Sequence, residues 1–282
     1  KGKSMVEYYS LTQRGFFSEI MNLVLAKIYC DKEKIELVVN TYHWNSRIDK
    51  GWNDYFKETL NTTNNILSSQ YYVNGYKRNI LRGLIKNPFH EAQHLTQCLL
   101  NYYYTSTSGN ILSHDIFNKM RSKEVIGLIK SNEEWRYLLS ITLNNIYIYN
   151  DDLNNEISAN KKKIGINSIE YIGVHVRRGD KITTGEMSII DIDKYISAIK
   201  AKKEISKNIY ISTDDMAIID IIKLQLGSEY SIFYNVLMSS TGFKESTYNK
   251  KSKEIRHEET KLAILDVDIL KIASFDLGNL PF

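Results

Sequence analysis

Short apolar runs alternate with amphipathic segments throughout the second half of the chain. Each run is rich in β-branched residues and too short for a helix, whereas the segments between them carry apolar residues at helical spacing. The predicted strands are 170–176, 208–212 and 230–234, and the predicted helices are 190–202, 215–226 and about 256–272. Strands that alternate with helices in this way predict a parallel sheet covered by helices.

The first half of the chain has a different pattern. An amphipathic helix is predicted from Gly15 to Tyr29, a short buried strand over 36–40, and mostly helical structure from Asn79 to about Tyr149. A polar, lysine-rich segment then ends in a linker at Lys161–Gly165. We therefore predict an α/β protein of two domains, with an N-terminal domain over 1–165 and a C-terminal Rossmann-like domain over 166–282.

Composition and charge narrow the class of protein. Hydrophobic residues make up 43% of the 282 residues and charged residues 25%, which favours a packed core over disorder. The net charge of +4 suits an anionic ligand but is too small to indicate nucleic acid. Cys30 and Cys98 both lie in apolar helical surroundings, so we expect buried free thiols and a reducing compartment.

The sequence shows no membrane-spanning or secretion signal. No run of about 18 apolar residues is present, and the first ten residues do not form a signal peptide. The expected location is therefore cytoplasmic or membrane-peripheral, or lumenal if targeting residues precede this sequence.

The most informative stretch follows the strand 170–176. There His175 and Val176 lead into Arg177, Arg178, Gly179, Asp180 and Lys181. The carboxyl ends of parallel strands are where open α/β sheets bind ligands, and arginine presents a planar fork of donors that matches phosphate. The sequence therefore predicts an anion site at this loop. A structural salt-bridge pair is the alternative interpretation of the two arginines.

These residues resemble the His-x-Arg-Arg-x-Asp signature of the fucosyltransferase superfamily, and most closely that of the α-1,6-fucosyltransferases. Three other stretches are similar to segments of that family: 208–215, which ends in Thr-Asp-Asp; 263–270, with its Leu-Asp pair; and Arg14–Glu19, which resembles the first strand-to-helix loop. The resemblance implies a GT-B fold with two facing Rossmann-like domains. It also implies inverting, metal-independent transfer of fucose from GDP-fucose to a glycan hydroxyl, with no cofactor besides the donor.

The resemblance also implies roles for individual residues. Arg177 and Arg178 would hold the diphosphate, and one of them would stabilise the departing GDP. Asp266 would accept hydrogen bonds from guanine, and Glu186 would be the catalytic base, with Lys181 in its proton relay. Further donor contacts are implied for His175, Asp180, Asp214 and Gly15.

Each of these roles has a structural alternative. Glu186 is displaced by one residue relative to the family pattern, and it could be a solvated loop residue. His175 could be a core histidine. Asp215 is better interpreted as the N-cap of the next helix, and Asp214 as a partner of the arginine loop.

The acceptor site is predicted in the N-terminal domain. His43 and Trp44 follow the strand 36–40, and aromatic rings stack on the apolar faces of sugars. The acceptor would be a glycan that contains N-acetylglucosamine, or a bacterial surface glycan. For the nearby Trp52, Tyr55 and Phe56, core packing is favoured over sugar binding by roughly two to one.

Two other functions stay open at this point. His90, Glu91 and His94 fit the His-Glu-x-x-His pattern of zinc hydrolases, although Pro88 starts the helix and no third ligand follows. His90 and His94 would otherwise line the acceptor cleft or pack in the N-terminal domain. A non-catalytic glycan- or nucleotide-binding protein on the same fold is the second alternative. It is motivated by the displaced Glu186 and by the family's serine-rich phosphate loop, which would follow Phe282 and which this protein either carries outside this sequence or lacks.

Overall fold

The computed structural model describes residues 5–70, 88–114, 132–179, 185, 189–235 and 242–277. The chain forms two compact units, Lys1–Asn150 and Asp151–Phe282. The structure thus divides the chain before the helix Asp151–Ile164, whereas the sequence prediction placed the division after it, at Gly165. This helix groups with the second unit because its Lys161 forms an ion pair with Asp268 and its Glu156 with Lys261.

In the first unit, the described strands form a parallel sheet in the order β3-β2-β1-β4. Its strands are β1 (Val6–Ser10), β2 (Glu36–Asn40), β3 (Thr62–Thr63) and β4 (Ile111–Ser113), and its helices are α1 (Phe16–Glu33), α2 (Pro88–Ser108) and α3 (Asn132–Ile146). Helix α1 begins after Gly15 and ends at Lys34, whose left-handed backbone caps it. Its apolar face is buried, so it covers the sheet.

In the second unit, the described strands form a parallel sheet in the order β7-β6-β5-β8. The strands are β5 (Ile172–Val176), β6 (Asn208–Thr213), β7 (Ser231–Tyr234) and β8 (Phe275–Leu277). The helices are α4 (Asp151–Ile164), α5 (Ile192–Lys200), α6 (Met216–Leu226), α7 (Glu245–Tyr248) and α8 (Lys253–Lys271).

The two faces of the second sheet pack differently. On one face Ile172, Val174 and Val176 join the apolar residues of α5 and α6 in a core. On the other face α8 and the residues just after it lie very close to β5, and the glycine at 173 allows this approach. A Cβ on Gly173 would come within 2.9 Å of Leu270 and 3.1 Å of Ala273. Polar residues on this second face therefore lie between the sheet and α8.

The structure confirms the predicted alternation of strands and helices, and it corrects the predicted burial of one cysteine. All three predicted strands and all three predicted helices of the second half are present, as are the strand 36–40 and the helix after Gly15. Both cysteines are free, but Cys98, on α2, is exposed and not buried as predicted. No described helix is both long and apolar enough to cross a bilayer.

Candidate functional site

The loop that carries the two arginines is held by Asp214. Strands β5 and β6 are adjacent and parallel, so the segments that follow Val176 and Thr213 leave the same edge of the sheet. The Asp214 carboxylate accepts the backbone N–H of Arg178 at 2.7 Å and that of Phe243 at 3.2 Å. Its backbone carbonyl accepts the N–H of Gly242 at 2.7 Å. One acid thereby connects three loops, and its predicted contact with the arginine loop is confirmed.

Two glycines allow these loops to meet. A Cβ on Gly179 would lie 2.6 Å from Asp214 Oδ2 and 2.8 Å from the backbone nitrogen of Phe243, and still closer to the Phe243 carbonyl oxygen. Gly242 has a φ of 83°, and its own Cβ would lie 3.1 Å from the Cα of Gly179. The contact is therefore a backbone-to-backbone approach that no larger residue fits at 179.

The two arginine side chains have different surroundings. Arg178 Nη2 donates a hydrogen bond to the carbonyl oxygen of Ile190 at 2.9 Å, which ties the loop to the segment before α5. The guanidinium carbon of Arg177 lies 6.0 Å from the ring centroid of Phe243. Arg178 therefore braces the loop, and Arg177 lies beside the Phe243 ring at the strand end.

A buried polar cluster lies below this edge, on the face covered by α8. Asp266 is buried, and its carboxylate accepts hydrogen bonds from Tyr210 Oη at 2.5 Å and Ser212 Oγ at 2.9 Å. His175 is the register partner of Ser212, so it lies on the same face of the sheet. The sequence drew attention to His175 and Asp266 but not to Tyr210 and Ser212, which alternate with apolar residues along β6.

Burial shifts the pKa of both ionisable groups in this cluster. It raises the pKa of Asp266 to about 6, against the lowering effect of the hydrogen bonds from Tyr210 and Ser212. It lowers the pKa of His175, and the positive charge of Arg177 lowers it further, while Asp214 opposes both effects. Near neutral pH, Asp266 is thus an ionised acceptor and His175 a neutral imidazole.

The other acid of the Asp214-Asp215 pair is also engaged. Asp215 is the N-cap of α6, and its side chain accepts the N–H of Ala217 at 3.1 Å, which confirms its predicted role.

Among the described residues, no group of three or more His, Cys, Asp or Glu side chains has the arrangement of a metal site.

In the first unit, the loop after β1 is organised by a buried acid. Glu19 is fully buried and accepts hydrogen bonds from Thr12 Oγ1 at 2.7 Å and Arg14 Nε at 2.6 Å. Burial raises the pKa of Glu19, and Arg14 and Thr12 counter that effect. Gly15 caps α1 next to this cluster, and a Cβ there would meet no atom within 4 Å. The stretch is a strand-to-helix loop, as the resemblance implied.

The structure corrects the prediction that Trp44 is an acceptor platform. Trp44 is only 3% exposed and stacks on Phe16 with a centroid distance of 5.7 Å. Trp52, Tyr55 and Phe56 are buried in the same aromatic cluster, which confirms the core-packing interpretation. An indole covered by protein offers no face to a sugar.

His43, by contrast, is half-buried, and its ring hydrogen-bonds Gln97. Burial lowers the pKa of His43, and Gln97 opposes that shift. His43 thus stays a predicted acceptor-side residue.

Several predicted residues lie outside the described part of the chain. These are Asp180, Lys181 and Glu186, together with the side chains of His90 and Glu91. The His94 ring is described, and it lies 3.7 Å from Cys98 Sγ, one turn further along α2. Glu186 as base and Lys181 as its partner therefore stay predictions.

The chain has two α/β units, each with a parallel sheet, and a polar site at the carboxyl edge of the second sheet. This arrangement defines the GT-B-like class of glycosyltransferase folds. The chain belongs to the family of alpha-(1,6)-fucosyltransferase N- and catalytic domains, whose pattern matches residues 123–273, more than half of its length. The predicted resemblance is confirmed, and the chain is accordingly a glycosyltransferase.

Solved structures agree on the fold. The chain is similar to NodZ alpha-1,6-fucosyltransferase co-crystallised with GDP, with 14% identity, a TM-score of 0.53, and coverage of 97% of this chain and 87% of that one. For NodZ soaked with GDP-fucose the identity is 15% and the TM-score 0.54, over the same shares of the two chains. For NodZ from Bradyrhizobium the values are 16% and 0.54, with 99% and 89% covered. No curated protein sequence matches this chain.

Proposed function

We propose that this protein transfers fucose from GDP-fucose to a glycan hydroxyl, with inversion at the anomeric carbon and without a metal ion. The observation that carries the proposal is the arginine loop, which Asp214 holds at the carboxyl edge of the second sheet. Membership of the fucosyltransferase family and the fold shared with NodZ, which has been co-crystallised with GDP, support the same donor.

The proposed reaction is a single displacement. The acceptor oxygen forms a bond to the anomeric carbon of fucose while the bond from that carbon to the phosphate oxygen breaks. The acceptor's proton goes to a carboxylate base, for which Glu186 is our candidate, with Lys181 beside it. Negative charge grows on the departing GDP, and a fixed guanidinium at Arg177 stabilises that charge.

The surroundings of the acids support a role for arginine where other transferases use a metal ion. Asp214 accepts two backbone N–H groups, and Asp215 caps α6, so both carboxylates after β6 are engaged by the protein itself. The positive charge at this edge comes from Arg177 and Arg178 instead. Guanidinium groups neutralise a diphosphate by paired hydrogen bonds.

Asp266 is proposed to select guanine. An ionised carboxylate accepts hydrogen bonds from two neighbouring N–H donors, and the guanine edge supplies such donors, whereas uracil and adenine do not supply the same pair. Tyr210, Ser212 and Asn235 hydrogen-bond this carboxylate, whose two oxygens together offer about four lone pairs, so some acceptor capacity is left. The hydrogen bonds from these residues also fix the orientation of the carboxylate.

The binding of GDP-fucose should therefore weaken as the pH falls through about 6, the pKa of Asp266. Below that value the carboxyl group is protonated and loses acceptor capacity. The folding stability should change with pH in the opposite direction. Between about pH 4 and pH 6 the folded chain keeps a proton on Asp266 that the unfolded chain releases, so the stability falls as the pH rises.

Isothermal titration from pH 5 to pH 8 measures this effect. GDP-fucose is the suitable ligand, because both of its phosphates are diesters and do not titrate in this range. Asp266→Asn should bind weakly and without the pH step. A step of the same size in Asp266→Asn would assign it to another group, of which His175 is the nearest candidate on that face.

A transfer assay tests the function directly. The protein is incubated with GDP-fucose, EDTA and a panel of glycans, and both free GDP and fucosylated product are measured. We expect product in EDTA, and the anomeric configuration of fucose in the product should be opposite to that in GDP-fucose. Activity that appears only after a divalent cation is added would contradict metal independence. Binding of GDP-fucose without product from any glycan would favour the non-catalytic alternative.

A further inference from the structure

A small cavity lies at the carboxyl edge of the first sheet. It measures about 200 Å³ and is lined by Gln70, His94, Gln97, Cys98, Asn101 and His114. His114 follows β4 directly, and the backbone N–H of Gln70 donates to Ser10 Oγ, at the end of β1, at 2.8 Å. Helix α2 supplies the remaining lining residues. The cavity therefore occupies the edge where parallel α/β sheets bind ligands.

The polar side chains of this cavity are held in place by hydrogen bonds. Gln97 is buried, and its amide nitrogen lies within hydrogen-bonding distance of the carbonyl oxygens of Ile66 and Ser69 and of Asn101 Oδ1, at 2.8, 3.1 and 2.8 Å. Gln97 also hydrogen-bonds His43. These contacts connect the loop after β3, the loop after β2 and α2, so the cavity wall is built by the fold.

His114 is oriented in the same way. Gln70 Nε2 donates to the carbonyl oxygen of Leu112 at 3.0 Å, which fixes its Oε1 towards His114 Nδ1, at 2.6 Å. Nδ1 therefore donates to Gln70 Oε1, which fixes the orientation of the imidazole ring at the cavity wall.

The chemistry of the lining suits a neutral ligand that has both apolar and hydroxyl-bearing surfaces, as a sugar ring does. Its residues are three amides, two imidazoles and a thiol, so none of these six side chains carries a fixed charge. Side-chain amides offer both donors and acceptors, which suits hydroxyl and acetamido groups. The volume of about 200 Å³ lies below the range of roughly 300–1,000 Å³ of pockets for larger small molecules. It suits one sugar ring rather than a nucleotide.

We propose that this cavity binds one sugar ring of the acceptor glycan. The proposal rests on the proposed fucosyl transfer. It moves the acceptor site from Trp44, which is buried, to this cavity. His43, the other predicted acceptor residue, is connected to the cavity by its hydrogen bond with Gln97. Asn101 and His114 would be the hydrogen-bonding residues, and Cys98 would contact the apolar face of the ring.

A substitution that fills the cavity tests the proposal. Cys98 is exposed, so Cys98→Phe adds bulk at the cavity wall without disturbing the core. Initial rates of fucosyl transfer, with the acceptor varied at saturating GDP-fucose, should show an acceptor KM raised by about tenfold or more. GDP affinity, measured by isothermal titration, should stay unchanged.

Two matched variants control for unrelated effects. Cys98→Ser keeps the cavity open, and Leu99→Phe adds the same ring at the next position of α2, where the side chain is 71% exposed and outside the cavity. Both should keep the acceptor KM within about twofold of the wild type. A Cys98→Phe variant whose KM also stays within that range would overturn the proposal.

Direct binding separates this proposal from the proposed function. If the wild type transfers no fucose, saturation-transfer NMR with an oligomer of N-acetylglucosamine still reports on the cavity. Binding by the wild type that is lost in Cys98→Phe and kept in Leu99→Phe would support the subsite. No binding by the wild type, or equal binding by wild type and Cys98→Phe, would overturn it.

Discussion

Arg177→Ala is expected to weaken GDP binding by roughly 10- to 150-fold, because one charge-assisted contact to the diphosphate contributes about 1.5–3 kcal/mol. Arg177 lies directly after β5, and its backbone is fixed by the hydrogen bond between the next residue's N–H and Asp214. The backbone that carries the Arg177 guanidinium is therefore held in place before the ligand arrives. The loss should appear in isothermal titration with GDP, while the unfolding temperature changes little.

Two variants show whether the effect is specific. Arg177→Lys keeps the charge but loses the planar fork of donors, so it should recover only part of the affinity. Lys194→Ala removes one positive charge from an exposed position of α5 in the same unit, and it should leave GDP binding unchanged. Equal losses in Arg177→Ala and Lys194→Ala would mean that overall charge, and not a contact at the loop, governs binding.

Gly179→Ala should damage both stability and GDP binding. The added methyl group would overlap the backbone of Phe243 and the carboxylate of Asp214, and backbone atoms cannot turn away as a flexible side chain does. Overpacking of this kind costs about 1–3 kcal/mol. The loops at 179 and 242 must then separate, so Arg177 and Arg178 lose their fixed positions. We expect a lower unfolding temperature and a loss of GDP affinity of more than about tenfold.

Gly227→Ala is the matched control. Gly227 ends α6 with a φ of 72°, and a Cβ there would meet no atom within 4 Å. With its ψ of -172°, Gly227 lies in a backbone region that is essentially restricted to glycine, so the change should cost about 1–3 kcal/mol of stability without moving the arginine loop. Gly227→Ala should therefore lower the unfolding temperature and keep its GDP affinity. If Gly179→Ala also keeps its GDP affinity, the contact between the two loops does not position the site.

The sequence predicted best those elements whose signal is local. Strand β5 is a continuous apolar run, and α5 carries Tyr195, Ile196 and Ile199 on one buried face, so periodicity alone identifies both. Strands β3, β4 and β8 contain only two or three residues each and were missed. Strand β1 was also missed, because the fully buried Glu7 interrupts its apolar pattern. Glu7 is accommodated by Ser113 Oγ, which is 106 positions away and not predictable from local pattern.

The same distinction applies to the site. The arginine loop, Asp214 and Asp215 all follow predicted strands, so their position at one edge of the sheet could be derived from the sequence. The approach of Gly179 to Phe243, and the hydrogen bonds of Asp266 to Tyr210 and Ser212, depend on long-range packing. Trp44 shows the converse error: an aromatic residue after a strand has the same sequence signal whether it faces a ligand or the core.

Isothermal titration of the wild-type protein with GDP, UDP and ADP, each in the presence of EDTA, tests the central claim most directly. It does not depend on the identity of the acceptor. The account predicts that GDP binds in EDTA and that UDP and ADP bind at least about tenfold more weakly, as expected if the proposed hydrogen bonds between guanine and Asp266 form. A preference for UDP or ADP, or no binding of GDP until a divalent cation is added, would contradict it.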